Sequence, residues 1–306
     1  GSFEAHYMDY QANFFKQCGQ SRFSMLADNV KQPFNEYLGL LLNFGIIGLL
    51  VLLLLMVIII YCYRKNPSVE KQIAFYSLSS IGIFSFFSYP FAYPFVWVVT
   101  FLSIFIITSE YIKPLFSNIL IKKIACMFIL TYSLFGSSKL FERIQAELDW
   151  GKASTLALCK SYNETLPTYE RLEKMFVSNP YFLYNYAAVL QEMKQYTESL
   201  EVALKCRQYW ADYDLELIIG ENYQQLNKPE LAEKYYNSAS MMCPSRFLPL
   251  YKLFHLYKTN GEKERSLAMA EAVISKPMKI KTTTIRMMKR EMEREIQKMN
   301  MSIKLE

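Results

Sequence analysis

The feature that most constrains this chain of 306 residues is an uninterrupted apolar run near its start. From Tyr37 to Tyr63 there are 27 residues without a charge, and Leu and Ile dominate them. A helix rises about 1.5 Å per residue and bilayer hydrocarbon is about 30 Å thick, so about 20 apolar residues are enough to cross it. The run therefore predicts a transmembrane helix at 37–63 rather than a buried helix of a soluble protein.

Three further membrane spans are predicted after the first. Residues 72–109 contain no charge over 38 positions, which is enough for two helices. Pro90 and Pro94 would interrupt a helix between them, so we expect a hairpin of 72–88 and 92–109. A shorter apolar run predicts a fourth span at 122–138, which crosses only if the lysines at its ends extend to the headgroups.

The basic residues orient these spans. Short loops rich in Lys and Arg stay in the cytoplasm, and two loops here have that character: Arg64, Lys65 and Lys71 in the first, Lys113, Lys122 and Lys123 in the second. With four spans, residues 1–36 and everything after residue 138 lie outside the cytoplasm. Without the fourth span, the C-terminal part would lie inside it.

From about residue 140 the chain is rich in Glu, Lys and Tyr, and a pattern of small and large residues repeats at intervals of 33 and 34 positions. Pairs of helices stack in this way in tetratricopeptide repeats (TPRs), where small residues allow close approach and large ones fill the groove. The three copies are Ala187, Leu190, Ser199, Ala203 and Cys206; Gly220, Tyr223, Ala232, Tyr236 and Ala239; and Phe254, Tyr257, Ser266, Ala270 and Val273.

We therefore expect an all-α protein with about four transmembrane helices followed by a TPR-type domain. The expected domains are an extracytoplasmic loop segment at 1–36, a membrane domain at 37–138 and a repeat domain at 139–306. An eroded repeat is expected at 150–180, and the charged stretch 279–299 is predicted to cap the last repeat. Residues 5–17 are predicted to form a short helix at the membrane interface or on the membrane domain.

The rest of the sequence excludes several classes of site. The net charge of +6 is spread out, without an arginine stripe among aromatic residues, so nucleic-acid binding is disfavoured. The six cysteines are scattered without a CxxC pair, and the two histidines lie far apart. We expect neither a metal site nor a cofactor.

The polar run before the first span is the remaining candidate for chemistry. Enzymes that use a lipid-linked diphosphate need cations for the diphosphate and a base for the acceptor hydroxyl. Arg22 or Lys31 would bind the diphosphate together with Asn35, and Glu36 or Asp28 would be the catalytic base. The alternative is structural: Asp28 forms a turn, Asn35 or Glu36 caps the first helix, and Lys31 faces headgroups.

A resemblance supports the first interpretation. Asn35–Leu38, followed by Asn43–Gly48 at the start of a Leu-rich span, resembles the C-terminal signature of the O-antigen ligase family. Members of that family are bacterial inner-membrane glycosyltransferases that move a glycan from undecaprenyl diphosphate to an acceptor in the periplasm. They need neither a metal nor a nucleotide. The resemblance covers about residues 1–110.

The resemblance implies that this chain is the C-terminal part of such an enzyme, in contact with membrane lipids and a lipid-linked glycan donor. The repeats would recruit a protein or glycolipid acceptor in the periplasm. Family members commonly have a histidine just before the Asn-x-Tyr-Leu pattern, where this chain has Gln32, Pro33 and Phe34. We therefore expect this chain to be inactive by itself. The alternative function is a non-catalytic, membrane-anchored TPR scaffold for cell-envelope assembly.

Overall fold

The computed structural model describes residues 3–19, 21–112 and 119–303, and these residues form α-helices and one short 3-10 helix, without a strand. This confirms the all-α expectation for the described part of the chain. The helices are α1 (Phe3–Cys18), α2 (Glu36–Lys65), α3 (Val69–Phe84), α4 (Pro94–Ile112), α5 (Ile119–Leu158), α6 (Tyr162–Leu172), α7 (Pro180–Glu192), α8 (Tyr196–Arg207), α9 (Tyr213–Gln225), α10 (Pro229–Met242), α11 (Leu248–Thr259), α12 (Lys263–Ser275) and α13 (Thr283–Ile303).

The helices form two compact units. Lys31–Gln145 make up most of the first, which we call the apolar unit, and Glu4–Val30 together with Ala146–Glu306 make up the second, the repeat unit. The sequence predicted boundaries at 36/37 and 138/139. The second of these lies inside α5, which is continuous because only Gly136 and small polar residues occur there and neither a proline nor a charged turn ends the helix.

Three helices of the described ranges are long and apolar enough to cross a membrane: α2, α4 within Pro94–Tyr111, and α5 within Lys123–Leu158. The second predicted span, 72–88, corresponds to α3, whose 16 residues would extend about 24 Å. It ends at Phe84 because the chain then turns through a 3-10 helix at Pro90–Ala92. The predicted break at the two prolines is therefore present.

One feature of α2 was not expected. Gly45 has φ +66° and ψ −164°, so α2 is two helical segments joined at a kink. A positive φ favours glycine because it has no Cβ. A Cβ added to Gly48 would lie 2.6 Å from the Cβ of Phe44, so the second glycine leaves room for the residue before the kink. After the kink, 46–65 still has about the 20 residues that a span requires.

The repeat unit stacks helix pairs α7/α8, α9/α10 and α11/α12, each packed on the next. The residues that defined the repeat are buried except Tyr223, which is half-buried: Ala187, Ser199 and Ala203 in the first copy are fully enclosed, as are Ala232 and Tyr236 in the second. Trp150 and Ala153 at the end of α5 pack with Tyr169 of α6, where the eroded copy was expected. The TPR-type arrangement predicted from the period is confirmed.

Gly220 shows why the repeat needs a small residue. A Cβ at this position would lie 2.6 Å from Cε1 of Tyr236, so α9 and α10 approach each other across the tyrosine ring. The ring's hydroxyl donates to Oε1 of Gln224 at 2.9 Å. The glycine therefore serves close packing inside a helix rather than backbone freedom.

At the C-terminal end, α13 packs its apolar side on the last pair. Met292 is fully buried against Phe254, Ala270 and Val273. Its exposed side carries most of its charged residues. The helix thus covers the apolar surface that the third pair would otherwise expose.

Candidate functional site

The motif residues Asn35 and Glu36 lie at the start of α2 and hold the turn after α3. The Asn35 Oδ1 accepts from the backbone N–H of Leu38 at 2.8 Å, which caps the helix, and its Nδ2 donates to the carbonyl of Phe86 at 3.1 Å. The Glu36 carboxylate accepts from the N–H of Phe91 at 3.0 Å. Asn35 therefore makes the cap that the structural alternative describes, whereas Glu36 binds the backbone of the turn instead.

The other predicted site residues lie apart from this turn in the chain. Asp28 belongs to the repeat unit, where its carboxylate is 2.8 Å from Arg246 and 3.3 Å from Lys279. Arg22 also belongs to that unit, and its guanidinium lies 4.8 Å from the ring centre of Phe23. Lys31 is exposed and belongs to the apolar unit with Asn35 and Glu36.

The cations around Asp28 were missed by sequence reasoning. Burial alone would raise the pKa of Asp28, but the hydrogen bonds from Arg246, the Asn29 backbone and Lys279 outweigh burial and hold its pKa below the usual range. Arg246 and Lys279 follow Asp28 by 218 and 251 residues. No local pattern marks such a contact in the sequence.

The described residues 4–19 and 21–30 form a clasp on the repeats, which corrects the expectation that the helix at 5–17 packs at the membrane interface or on the membrane domain. The N–H of Ala211 donates to the carbonyl of Glu4 at 2.9 Å, and the amide of Gln11 donates to the carbonyl of Met242 at 2.6 Å. Met8 is buried in the core around α9 and α10. The clasp therefore contacts the connections between successive helix pairs, at Ala211 between α8 and α9 and at Met242 at the end of α10.

A charged triad fastens this clasp. Arg207, at the end of α8, bonds both to Asp9 of α1 and to Glu216 of α9. Glu216 is almost fully buried, and burial raises the pKa of its carboxyl while Arg207 opposes that rise. Removing one member of such a buried group costs more than its net contribution, because an unpaired charge remains inside the protein. Arg207 thus couples the clasp to the interior of the second repeat.

The first helices of successive pairs (α7, α9 and α11) and then α13 form the second notable surface, the first-helix face. Polar side chains bridge each neighbouring pair along it. The bridges are Gln191–Asn222 at 3.0 Å, Glu221–Lys252 at 2.9 Å, Tyr251–Glu291 at 2.9 Å, and Lys258–Glu295. Two of these bridges, Glu221–Lys252 and Lys258–Glu295, are ion pairs, whereas Tyr251–Glu291 joins a hydroxyl to a carboxylate and Gln191 meets the buried Asn222.

Within the described ranges, no group of three or more His, Cys, Asp or Glu side chains is arranged to hold a metal ion. Three of the cysteines are buried, and burial raises the pKa of Cys206 and Cys243 to about 12. These two thiols fill space between repeats.

The repeat unit is similar to solved TPR structures. One is YrrB, a TPR protein with an unusual peptide-binding site (19% identity, TM-score 0.38); the match covers 42% of this chain and 66% of YrrB. Another is the MamA protein, with 13% identity and a TM-score of 0.40; the match covers 50% of this chain and 89% of MamA. A MamA fragment from Desulfovibrio magneticus RS-1 has 18% identity and a TM-score of 0.39, and the match covers 48% of this chain and 76% of the fragment. No protein-family model and no curated protein matches the chain. The repeat assignment rests on the period and packing described above.

Proposed function

We propose that this protein is a membrane-anchored TPR scaffold that binds a protein partner on its first-helix face. The observation that carries the proposal is the row of polar bridges that joins each neighbouring pair among α7, α9, α11 and α13, with ion pairs at Glu221–Lys252 and Lys258–Glu295. Helical repeats use such continuous surfaces to bind extended or helical segments. The apolar unit, with three helices of sufficient length, would hold the scaffold at the membrane.

Site-specific photo-crosslinking in native membranes tests this function. Gln225 is exposed and lies one helical turn from Glu221 on α9, so a crosslinker at Gln225 should capture the partner. Exposed Glu201 on α8 and Glu271 on α12 are the matched control positions on second helices. We expect an adduct of defined mass from Gln225 and none from the two controls.

A charge swap makes the test specific. Glu221→Lys combined with Lys252→Glu preserves the bridge between α9 and α11 but reverses the order of charge along the face. The Gln225 adduct should fall at least about tenfold while the thermal stability is unchanged. An adduct that survives the swap, or that forms equally from Glu201 and Glu271, would contradict the proposal.

We also propose that the clasp and the repeats lie on the same side of the membrane, outside the cytoplasm in a bacterial inner membrane. The contacts of Glu4 with Ala211 and of Asp28 with Arg246 support this, because they require both segments in one compartment. The chain between them must then cross an even number of times. Since α2, α4 and α5 alone would give three crossings, we propose that α3 is the fourth, with the positive-inside rule setting the direction.

Cysteine accessibility checks this topology. Cys18 in the clasp end and Cys159 after α5 are exposed, whereas Cys243 is buried and would not report its compartment. Variants that retain only Cys18 or only Cys159 are treated in intact cells with a membrane-impermeant maleimide after the outer membrane is opened. We expect both to be labelled. Labelling of one and protection of the other until lysis would exclude an even number of crossings.

A second candidate function is the C-terminal part of an O-antigen ligase-like glycosyltransferase. The observation that favours it is the contact of Asn35 and Glu36 with the turn after α3, together with a kink at Gly45 further along α2. Irregular backbone at membrane depth is tolerated mainly where it lines a site. In this function Glu36 is the base for the acceptor hydroxyl, and Lys31 and Asn35 of the same unit bind the lipid diphosphate.

Glu36→Gln separates the two functions. Glutamine keeps an oxygen that accepts from the N–H of Phe91 but cannot act as a base. The substitution is made in the full-length gene. If the protein is a ligase, Glu36→Gln should abolish surface glycan at a normal protein level, and Glu36→Asp, which keeps a carboxylate, should retain part of it. Unchanged glycan in Glu36→Gln and in the gene deletion would eliminate this candidate and leave the scaffold.

A further inference from the structure

The positive charge of this protein is concentrated beside the last repeat. Between Ala272 and Arg290 there are six Lys or Arg residues and no acid, which equals the net charge of +6 of the entire chain. This stretch forms the end of α12, the following loop and the first two turns of α13. It leads into the amphipathic capping helix, but capping of the apolar core does not require one sign of charge.

The six cations divide into two groups. The ammonium of Lys276 donates to the carbonyl of Arg246 at 2.8 Å, and that of Lys289 donates to the carbonyls of Ile274 and Lys276 at 2.6 and 2.7 Å. Both ammoniums also lie 5.4–5.6 Å from the ring centre of Phe247. These two lysines fix the fold of the loop.

The other four cations are exposed on the loop and on α13. Lys279 shares Asp28 with Arg246, so that single carboxylate faces two cations. Lys281, Arg286 and Arg290 form no ion pair within the described residues. Arg286 and Arg290 are separated by one helical turn and therefore project from the same side of α13.

Two large apolar side chains stand exposed among these cations. Ile280 is 66% exposed and Met287 is 64% exposed, although neighbouring Ile285 and Met288 pack into the core. Water-exposed side chains of this kind, surrounded by Lys and Arg on a short amphipathic stretch, are typical of segments that insert among lipid headgroups. A surface for nucleic acid would not need them, and a surface for small anions would leave them without a partner.

We propose that residues 279–290, centred on Lys281, Arg286 and Arg290, form a docking surface for an anionic lipid bilayer, into which Ile280 and Met287 insert. The surface shares α13 with the first-helix face, where Met287 lies one turn from Glu291, but it does not depend on the partner proposed for that face. This surface lies at the C-terminal end of the repeat stack, after α12. The lipid contact would give the repeat unit a second attachment besides its covalent link to the apolar unit.

An environment-sensitive fluorophore tests this surface on the full chain. The exposed residues Cys18, Cys126 and Cys159 are replaced by Ser, and NBD is attached at Met287→Cys in nanodiscs of phosphatidylcholine. Phosphatidylglycerol is then supplied in the disc or as added vesicles, so that contact with either membrane is detected. We expect a blue shift with phosphatidylglycerol that weakens at high salt, and none from the control label at Met241→Cys on α10.

Charge variants determine the cause of the shift. Lys281→Glu, Arg286→Glu and Arg290→Glu together should weaken vesicle binding on the order of 100-fold, because each cation contributes to attraction by the anionic surface. The matched control changes the exposed lysines Lys174, Lys194 and Lys228 to Glu and should leave binding nearly unchanged. No shift in either membrane, or a shift that persists when Lys281, Arg286 and Arg290 are all changed to Glu, overturns the proposal. Reversal by inorganic phosphate beyond the effect of equal ionic strength would indicate a small-anion site and also overturn it.

Discussion

The apolar unit and the repeat unit use similar side chains in opposite ways. In the repeat unit, Phe182 and Ile219 have no exposed surface, whereas in α2 Ile47 is 72% and Leu54 is 59% exposed. Burial of apolar surface from water stabilises the first arrangement by about 25 cal/mol per Å². Burial from water cannot hold the helices of the apolar unit together when lipid surrounds them, because exposed Leu and Ile are then already in an apolar solvent.

The hydroxyl groups show the same contrast. In the apolar unit, Ser77, Ser79 and Thr108 each donate to a carbonyl four residues earlier in their own helix. In the repeat unit, Ser199 donates from α8 to the carbonyl of Ala187 on α7 and accepts from Asn222 on α9. These three hydroxyls of the apolar unit thus satisfy the backbone of their own helix, whereas Ser199 joins three helices of the repeats. Stability of the second unit should therefore depend strongly on single contacts.

The largest expected difference is between Phe182→Ala and Leu54→Ala. Phe182 is fully buried and its ring centre lies 4.9–5.6 Å from those of Phe176, Tyr169 and Trp150, so truncation should cost the repeat unit about 3–5 kcal/mol. Leu54→Ala should not change the free energy of unfolding of the repeat unit. Thermal unfolding is followed by fluorescence in a Trp97→Phe background, in which only Trp150 and Trp210 remain. Equal effects of the two substitutions would contradict the comparison.

Arg207→Ala should be nearly as severe, because it leaves Glu216 buried without its cation, at a cost of about 3 kcal/mol. Burial already raises the folded-state pKa of Glu216, and loss of Arg207 raises it further. A carboxyl with a raised folded pKa favours the folded state at low pH and loses that contribution as pH rises through the raised pKa. The deficit of the variant should therefore be larger at pH 8 than at pH 5.

Adding Glu216→Gln provides the control for that pH dependence. In the Arg207→Ala background the amide removes the buried charge, so stability should recover in part and the difference between pH 5 and pH 8 should disappear. If the deficit of Arg207→Ala is the same at both pH values, the buried charge is not its cause.

Gly220→Ala should have an intermediate effect. Its new Cβ would meet the Tyr236 ring at 2.6 Å, and overpacking of this kind costs about 1–3 kcal/mol. Gly136→Ala in α5 and Gly151→Ala in the same helix meet no atom within 4 Å and should be neutral or slightly stabilising. Unfolding midpoints of the three variants give the test, and a stable Gly220→Ala would exclude close approach of α9 and α10.

The smallest effect is expected for Asp28→Asn. Its ion pairs with Arg246 and Lys279 are about half exposed, so we expect a loss of less than about 1 kcal/mol that shrinks with salt. The pKa of Asp28 is lowered in the folded state, so the ion pairs stabilise the fold at pH values above the ordinary pKa of an aspartate. This stabilisation is lost as the pH falls through the lowered pKa. Limited proteolysis of the clasp should detect the change, and a large loss would assign Asp28 a role beyond fastening.

The local features of this fold could be predicted from the sequence. The spacing of Ala187, Gly220 and Tyr236 encodes close contacts inside one helix pair, and Pro90 with Pro94 encodes a helix break, so both leave periodic or local signals. The position before an apolar run gave Asn35 or Glu36 as an alternative helix cap, and Asn35 is the one that caps α2. These interactions join residues at most a few turns or one repeat apart.

The remainder could not be predicted because its causes lie far away in the chain. An amphiphilic aromatic stretch such as α1 suits a membrane interface and a protein surface equally, and only the partners of Asp9 and Asp28, about 200 residues later, distinguish the two. The kink at Gly45 interrupts a run that is uniformly apolar on both sides. The assignment of Asp28 and Glu36 to catalysis stays a prediction.

The clasp also imposes an order on biosynthesis. Asp9 is made 198 residues before Arg207, and at about 5–20 residues per second the ribosome needs about 10–40 s to supply that partner. During this interval α2 to α5 are synthesised, while Met8 and Phe15 of α1 still lack the repeats that bury them. The N-terminal segment is therefore the part of the chain that waits longest for its native contacts, and the repeat unit closes last.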